Sequence, residues 1–302
     1  MKKKIYLLSS IPGTEEYLKY GGSYIEMSRK TAEKAKQPDT ELIRRACPPG
    51  FWKARHTTID YLENGLMVPT ICKTAINAEK EGADAIIVTC TNDPGLRFLR
   101  QLLDIPVVAE FESTMHVACM MGYKFGVLSW PIIPYMKRGE QLISEYGLQS
   151  HAIAEPFEPV IEPGPKADIE IIQQGYSDPK AFAEKHFIPA ARRLIKRGAE
   201  AIIMHSTGLS LIAENAGLRR IEAGDMPGVP KGAAVPLLEN VTVPIKMAEL
   251  MIDLYRSGIP SVGRVGLYQK VDQLVKEDDL KQIREAFEKD WQPLPMPKPK
   301  KK

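Results

Sequence analysis

Two copies of one ten-residue phrase, residues 82–91 and 198–207, place a polar side chain at matching positions. The copies superpose without a gap, and Cys90 of the first copy matches Ser206 of the second. A thiol with a pKa near neutrality can take a proton from a carbon next to a carbonyl group and return it. A serine hydroxyl has a much higher pKa and needs a neighbouring base to do the same. The pattern therefore predicts Cys90 as an acid/base and Ser206 as a site residue that carries protons only with assistance.

Cys90 stands at the exit of its apolar run, just before a helix that is expected to open near Gly95. Backbone N–H groups and the positive end of a helix lower the pKa of a thiol toward neutrality. The alternative is an ordinary core cysteine, the commoner fate of a cysteine in an apolar strand. Cys47, Cys72 and Cys119 are interpreted as core residues, because their spacing suggests neither a disulfide framework nor a zinc site.

The elements that carry these residues are predicted to be buried parallel strands. Both phrases are β-branched apolar runs, and amphipathic helical stretches precede them at 70–80 and 187–197. Helical and strand patterns alternate along the rest of the chain, which predicts an α/β fold with parallel sheets. Residues 105–111 are interpreted as another strand, followed by a helix from Glu112. A duplicated helix–strand unit predicts two lobes with one site in the cleft between them.

Small polar residues at the strand ends are candidates for binding substrate. Their hydroxyl, amide and backbone N–H groups could hold a carboxylate or imide oxygen on which charge develops during proton removal. The alternative is plain capping of the helices that follow. The candidates are Ser9, Ser10, Thr91, Asn92, Ser129, Thr207 and Gly208.

Composition excludes several classes of protein. The chain has 302 residues, 44% hydrophobic and 26% charged, as in globular proteins. The net charge of +3 arises from 41 basic and 38 acidic residues, and the excess lies largely at the two ends, so we expect no nucleic-acid partner. No apolar run reaches 18 residues, which predicts no membrane span and a cytoplasmic protein. Residues 291–302 alternate Pro with Lys and are interpreted as a disordered basic tail.

Three blocks of the sequence resemble the Asp/Glu/hydantoin racemase superfamily, and most of all its hydantoin racemase branch. They are residues 83–96, residues 105–108 with Glu112 and His116, and residues 235–268. The resemblance implies two pseudo-symmetric flavodoxin-like (Rossmann-like) lobes, no pyridoxal phosphate, no metal and no other cofactor, and a homo-oligomer. It also implies two opposed cysteines that exchange a proton on the two faces of an acidic carbon.

The sequence departs from this pattern at two places. His205-Ser206 stands where the family has Gly-Cys, and Glu110-Phe111 stands where a glycine-rich pair is usual. The two-thiol mechanism therefore does not carry over intact. His205 could assist Ser206. Glu112 and His116 lie four residues apart, as a carboxylate–imidazole pair that supports the thiol or as a structural pair.

The lobes are expected to divide the chain unevenly. Residues 1–115 with 240–290 are assigned to lobe one, and residues 116–239 to lobe two. Residues 215–234, rich in Gly and Pro, are an added segment next to a strand. This segment is interpreted either as a lid over the site or as a passive surface insertion.

These observations predict a cofactor-independent racemase or epimerase that acts on a small carboxylate or imide, either hydantoin-like or amino-acid-like. The first alternative is a decarboxylase of malonate-type acids, because a single thiol suffices to protonate one face of a planar intermediate. The second alternative is a binding protein without catalytic activity.

Overall fold

The polypeptide forms two β-sheets, each made mainly of parallel strands with helices packed against them. The computed structural model describes residues 2–9, 15–47, 67–161 and 169–270, with isolated positions between 276 and 285. Ser10 and the tail 291–302 lie outside the described residues, so the interpretations of both stay predictions.

The first sheet holds the amino-terminal strands in the order β2-β1-β3-β4, and all of them are parallel. The strands are β1 (Lys3–Ser9), β2 (Thr40–Ala46), β3 (Ala85–Thr89) and β4 (Val107–Ala109). Alternate side chains of β1 and β3 enter two different hydrophobic clusters, one on each face of the sheet. Helices α2 (Val68–Lys80) and α3 (Leu96–Leu102) cover one face, and α1 (Glu15–Ala35) covers part of the other.

The second sheet has the order β6-β5-β7-β9-β8. Its strands are β5 (Phe125–Ser129), β6 (Ala152–Pro159), β7 (Ala201–His205), β8 (Arg220–Glu222) and β9 (Ala234–Leu238). Its helices are α4 (Glu110–Met121), α5 (Ile133–Glu145), α6 (Ile169–Ser177), α7 (Pro179–Phe182), α8 (Ile188–Lys196) and α9 (Thr207–Asn215), and a π-helical turn, Ala183–Phe187, joins α7 to α8. The duplicated phrases form β3 and β7, and the α/β fold with two lobes built on mostly parallel sheets is confirmed.

Two helices cross from one sheet to the other. α4 follows β4 of the first sheet, yet its side chains Phe111, Met115 and Ala118 pack in a cluster with the second sheet. α10 (Thr242–Arg256) follows β9 of the second sheet, yet it packs with Ile5 and Ile87 of the first. The expected lobe boundary between residues 115 and 116 falls inside α4, and a boundary before Glu110 suits this packing better.

The strand expected over residues 105–111 is shorter than the sequence pattern suggested. β4 ends at Ala109, and Glu110 is already the first residue of α4. The helix begins early because a side chain distant in sequence, Asp93, accepts the backbone N–H groups of Phe111 and Glu112.

The added segment 215–234 forms part of a hairpin, which adds one antiparallel strand to the otherwise parallel second sheet. β8 pairs antiparallel with β9, Glu222 opposite Ala234 and Arg220 opposite Pro236. The connection between β8 and β9 therefore lies at the amino end of β9. The candidate site lies at the opposite edge of the sheet, at the carboxyl ends of the parallel strands. This placement favours a surface insertion over a lid.

Candidate active site

Cys90 directly follows β3, which lies between β1 and β4 in the first sheet. The residue is partly exposed, whereas Thr91, Asn92 and Asp93 after it are buried. Asp93 adopts a φ of 46°, in the left-handed region that Asp tolerates better than most residues. The turn therefore buries its polar residues and leaves Cys90 partly exposed.

Asp93 fastens this turn to the start of α4. Its Oδ1 accepts the N–H of Phe111 at 3.0 Å, and its Oδ2 accepts the N–H of Glu112 at 2.8 Å. The Tyr146 hydroxyl at the end of α5 donates to Oδ2 at 3.0 Å. Burial raises the pKa of Asp93 to about 7, against the opposing effect of these hydrogen bonds. Asp93 thus serves as an N-cap supplied from another element, because Ala109 at the helix start has no capping side chain.

Ser206 follows β7 and caps α9. Its Oγ accepts backbone N–H groups of Gly208 at 3.1 Å and Leu209 at 3.5 Å, and it also accepts the indole N–H of Trp130 at 3.0 Å. An oxygen surrounded by three donors is poorly suited to remove a proton from carbon. For Ser206 and Gly208, the observed contacts are those of the helix-capping alternative.

The His205 side chain points into the core and away from Ser206, because successive residues of a strand project to opposite faces. Its ring stacks on Tyr135 with centroids 4.2 Å apart and packs against Phe111 at 4.6 Å. Its Nδ1 lies 3.2 Å from the buried Ser129 hydroxyl. Burial lowers the pKa of His205 to about 3, although the neighbouring Thr91 backbone acts in the opposite direction. The imidazole is therefore a very weak base, and its contacts are with Ser129 and the aromatic rings rather than with Ser206, which argues against the assisting role suggested by the sequence.

The two strand ends that carry Cys90 and Ser206 lie side by side. Thr91 is hydrogen-bonded to the Tyr135 hydroxyl, and the Tyr135 ring stacks on His205. Thr91 adjoins Cys90, and His205 adjoins Ser206. The structure therefore brings together the ends of the duplicated strands.

A buried carboxyl group, Glu110, lies at this junction and was missed as a candidate in the sequence. It is 1% exposed, and the Thr207 hydroxyl donates to its Oε2 at 2.7 Å. Burial raises the pKa of Glu110 well above its usual range, while the Thr207 hydrogen bond opposes the shift. One sequence signal could have identified it: Glu110-Phe111 stands where a glycine-rich pair is usual in the family that the sequence resembles.

Glu110 lines an open pocket with an enclosed volume of about 40 Å³. The first sheet and its helices contribute most of the wall, and Thr207 at the start of α9 contributes from the second lobe. Ser9 and Thr89, at the ends of β1 and β3, also line this pocket. The other lining residues are Leu7, Tyr24, Ser28, Arg44, Ile87, Asn240, Val241, Pro244 and Ile245.

The raised pKa of Glu110 has a consequence for stability. The folded state holds this proton more tightly than the unfolded chain, whose carboxyl pKa is about 4.3. The unfolding free energy therefore falls as the pH rises from that value through the folded pKa. We expect Glu110→Gln to remove this contribution, so that the variant gains stability relative to wild type as the pH rises above about 4.3. Urea unfolding at several pH values measures the difference, and an offset independent of pH contradicts it.

Glu112 and His116 do not form the expected pair. The Glu112 carboxylate accepts two hydrogen bonds from the Arg100 guanidinium of α3, at 2.6 and 2.5 Å. His116 is exposed on α4. The four-residue spacing is correct for one helical face, but the guanidinium supplies a bidentate partner that an imidazole cannot match.

Within the described ranges, no group of three or more His, Cys, Asp or Glu residues could hold a metal ion. Nor does the described part of the chain contain a helix that is long and apolar enough to cross a bilayer.

Comparison with known proteins identifies relatives in sequence and in structure. The Asp/Glu/Hydantoin racemase family model matches residues 23–230. A hydantoin racemase from Pseudomonas sp. (strain NS671) is 27% identical over 228 residues, which cover 74% of this chain and 78% of the relative. A hydantoin racemase from Rhizobium meliloti is 26% identical over 200 residues, which cover 63% of this chain and 69% of that protein.

The fold is similar to that of an allantoin racemase from Klebsiella pneumoniae, with a TM-score of 0.65 and 19% identity. The similarity covers 89% of this chain and 94% of that structure. The family match extends over more than half of the sequence and includes both strand ends of the candidate site. The chain therefore belongs to the Asp/Glu/hydantoin racemase family of enzymes.

Proposed function

We propose that this enzyme racemises a small molecule by moving a proton at a carbon next to a carbonyl group, with Cys90 as an acid/base and without a cofactor. The observation that carries the proposal is the partly exposed Cys90 at the end of β3, on a turn whose other polar residues are buried. That turn meets the matching strand end of the second lobe through Thr91, Tyr135 and His205.

The polar groups around the pocket suit a neutral ring as substrate. Glu110 lines the pocket, and the buried carboxyl groups of Asp93 and Glu239 lie near enough to raise its pKa further. A carboxyl group that keeps its proton can donate a hydrogen bond to a carbonyl oxygen of the substrate. Among the described lining residues Arg44 is the only cation, and its guanidinium donates to the carbonyl oxygen of Ser28. A hydantoin-like ring presents carbonyl and N–H groups to such partners.

A malonate-type acid brings two carboxylates, and Arg44 is the only cation among the described lining residues that could balance them. The specific argument for a decarboxylase is Ser206, because capping leaves the second lobe without the expected thiol. One acid suffices to protonate one face of a planar intermediate after loss of CO₂. Decarboxylation is therefore the second candidate, and it requires the pocket to accept a dianion.

Proton NMR in deuterium oxide distinguishes these activities. We expect the α-hydrogen signal of enantiopure 5-substituted hydantoins or of allantoin to disappear, while optical rotation decays and no CO₂ forms. Release of CO₂ from phenylmalonate without hydantoin exchange would establish the decarboxylase instead. Binding of these compounds without exchange or CO₂ release would leave the chain a binding protein.

A further inference from the structure

The resemblance leads one to expect a second thiol at position 206, on the face of the substrate opposite Cys90. The Ser206 oxygen that stands there is occupied by two backbone N–H groups and the Trp130 indole. His205 is buried, neutral and packed among aromatic rings. Neither residue can serve as the second proton carrier, yet inversion at carbon requires a proton on each face.

Glu110 is hydrogen-bonded to the residue that directly follows Ser206. Its Oε2 accepts from Thr207, the neighbour of Ser206, while no described residue is hydrogen-bonded to its Oε1. Its carboxyl group shares the pocket with Thr89, the neighbour of Cys90, and with Ser9. The carboxyl group therefore contacts the residue that follows Ser206, and it lines the same pocket as Thr89, the residue that precedes Cys90.

We propose that Glu110 is the second catalytic residue, and that it exchanges a proton on the substrate face opposite Cys90. This inference rests on the proposed function. With one enantiomer, the Cys90 thiolate removes the α-proton and becomes a thiol, and the electron pair of the C–H bond passes into an enolate. The Glu110 carboxylic acid then donates its proton to the other face and becomes a carboxylate. The opposite enantiomer runs the same steps in reverse, so protons and charge balance.

The surroundings of Glu110 suit this role. A general acid that shares protons with a thiol needs a pKa near the working pH. Burial and the neighbouring Asp93 and Glu239 carboxyl groups raise the pKa of Glu110, while Thr207 and Arg44 oppose the shift. The acid is therefore available to donate, and the Thr207 hydroxyl holds it in one orientation.

Glu110→Gln tests the proposal, because the amide keeps an acceptor for Thr207 but cannot carry the proton. We expect racemisation of a 5-substituted hydantoin to fall by at least about 10²-fold. In deuterium oxide the variant should still exchange the α-hydrogen of the enantiomer that faces Cys90 and should lose exchange of the other. Glu249→Gln is the matched control, since Glu249 is also buried and its carboxylate accepts hydrogen bonds from Thr40 and from the backbone N–H of Gln37, but it does not line the pocket. The control should exchange both enantiomers in the wild-type ratio.

The asymmetry between enantiomers separates catalysis from a structural role. If Glu110→Gln slows both enantiomers equally, or neither, Glu110 is not the second acid and the inference is overturned while the proposed function stands. If the wild-type enzyme exchanges neither enantiomer, both the inference and the proposed function are wrong. Should Glu110→Gln fail to fold, Glu110→Leu carries the same test, because an apolar side chain of similar volume suits a buried position.

Discussion

Cys90→Ala is expected to abolish α-proton exchange for one enantiomer and to lower racemisation by at least about 10²-fold. The methyl group cannot take the proton, and the backbone N–H groups of the turn cannot replace it. The unfolding free energy should change by less than about 1 kcal/mol, since the thiol is partly exposed and belongs to no hydrophobic cluster among the described residues. Exchange kinetics and urea unfolding of the same preparation measure the two effects.

Cys72→Ala is the matched control for this experiment. Cys72 is a free and partly buried cysteine, but it lies inside α2 and packs on the core of the first sheet. Burial raises the pKa of Cys72 to about 11, so its thiol is protonated at neutral pH. The control should keep full exchange of both enantiomers. Retention of more than a tenth of the activity in Cys90→Ala would move the chemistry to another residue.

Asp93→Ala is expected to lower the unfolding free energy by about 3 kcal/mol, the largest stability effect in this region. The change removes the cap of α4, leaves the Tyr146 hydroxyl without its acceptor and places alanine at a φ of 46°. Activity should fall as well, because the turn that holds Cys90 loses its attachment to α4. Chemical unfolding monitored by circular dichroism measures the stability change.

Asp93→Asn is the corresponding control. Asparagine tolerates the left-handed conformation, and its amide oxygen still accepts a hydrogen bond. Since burial raises the pKa of Asp93 to about 7, a neutral side chain is already populated in the wild type at neutral pH. We expect a loss of no more than about 1 kcal/mol. A loss below 1 kcal/mol for Asp93→Ala would show that α4 does not depend on this cap.

The order of strands and helices could be predicted from the sequence because hydrophobic patterns are local signals. β-branched apolar runs at residues 85–89 and 201–205 formed the two central strands as expected. The start of α4 could not be predicted, because the residue that caps it, Asp93, lies in a turn distant in sequence. Glu110 was consequently placed in a strand and passed over as a candidate.

The roles of the site residues depended on contacts that no spacing rule contains. Arg100 is the partner of Glu112, so His116 is left at the surface. The Trp130 indole reaches Ser206 from the end of a neighbouring strand. Pattern alone located the strand ends correctly, but it could not assign what each polar side chain does there.

Because α10 crosses to the first sheet, that sheet completes its hydrophobic packing only late in the synthesis of the protein. The layer formed by α10 on the first sheet includes Ile245 and Ile252, which pack with Ile5 and Ile87. α1 covers part of this face, but the amino-terminal sheet is covered there completely only after Arg256 has left the ribosome, when the second sheet has already been made. A nascent chain stalled before Thr242 should expose Ile5 and Ile87 on that face, which makes this stage the natural point for a chaperone to bind.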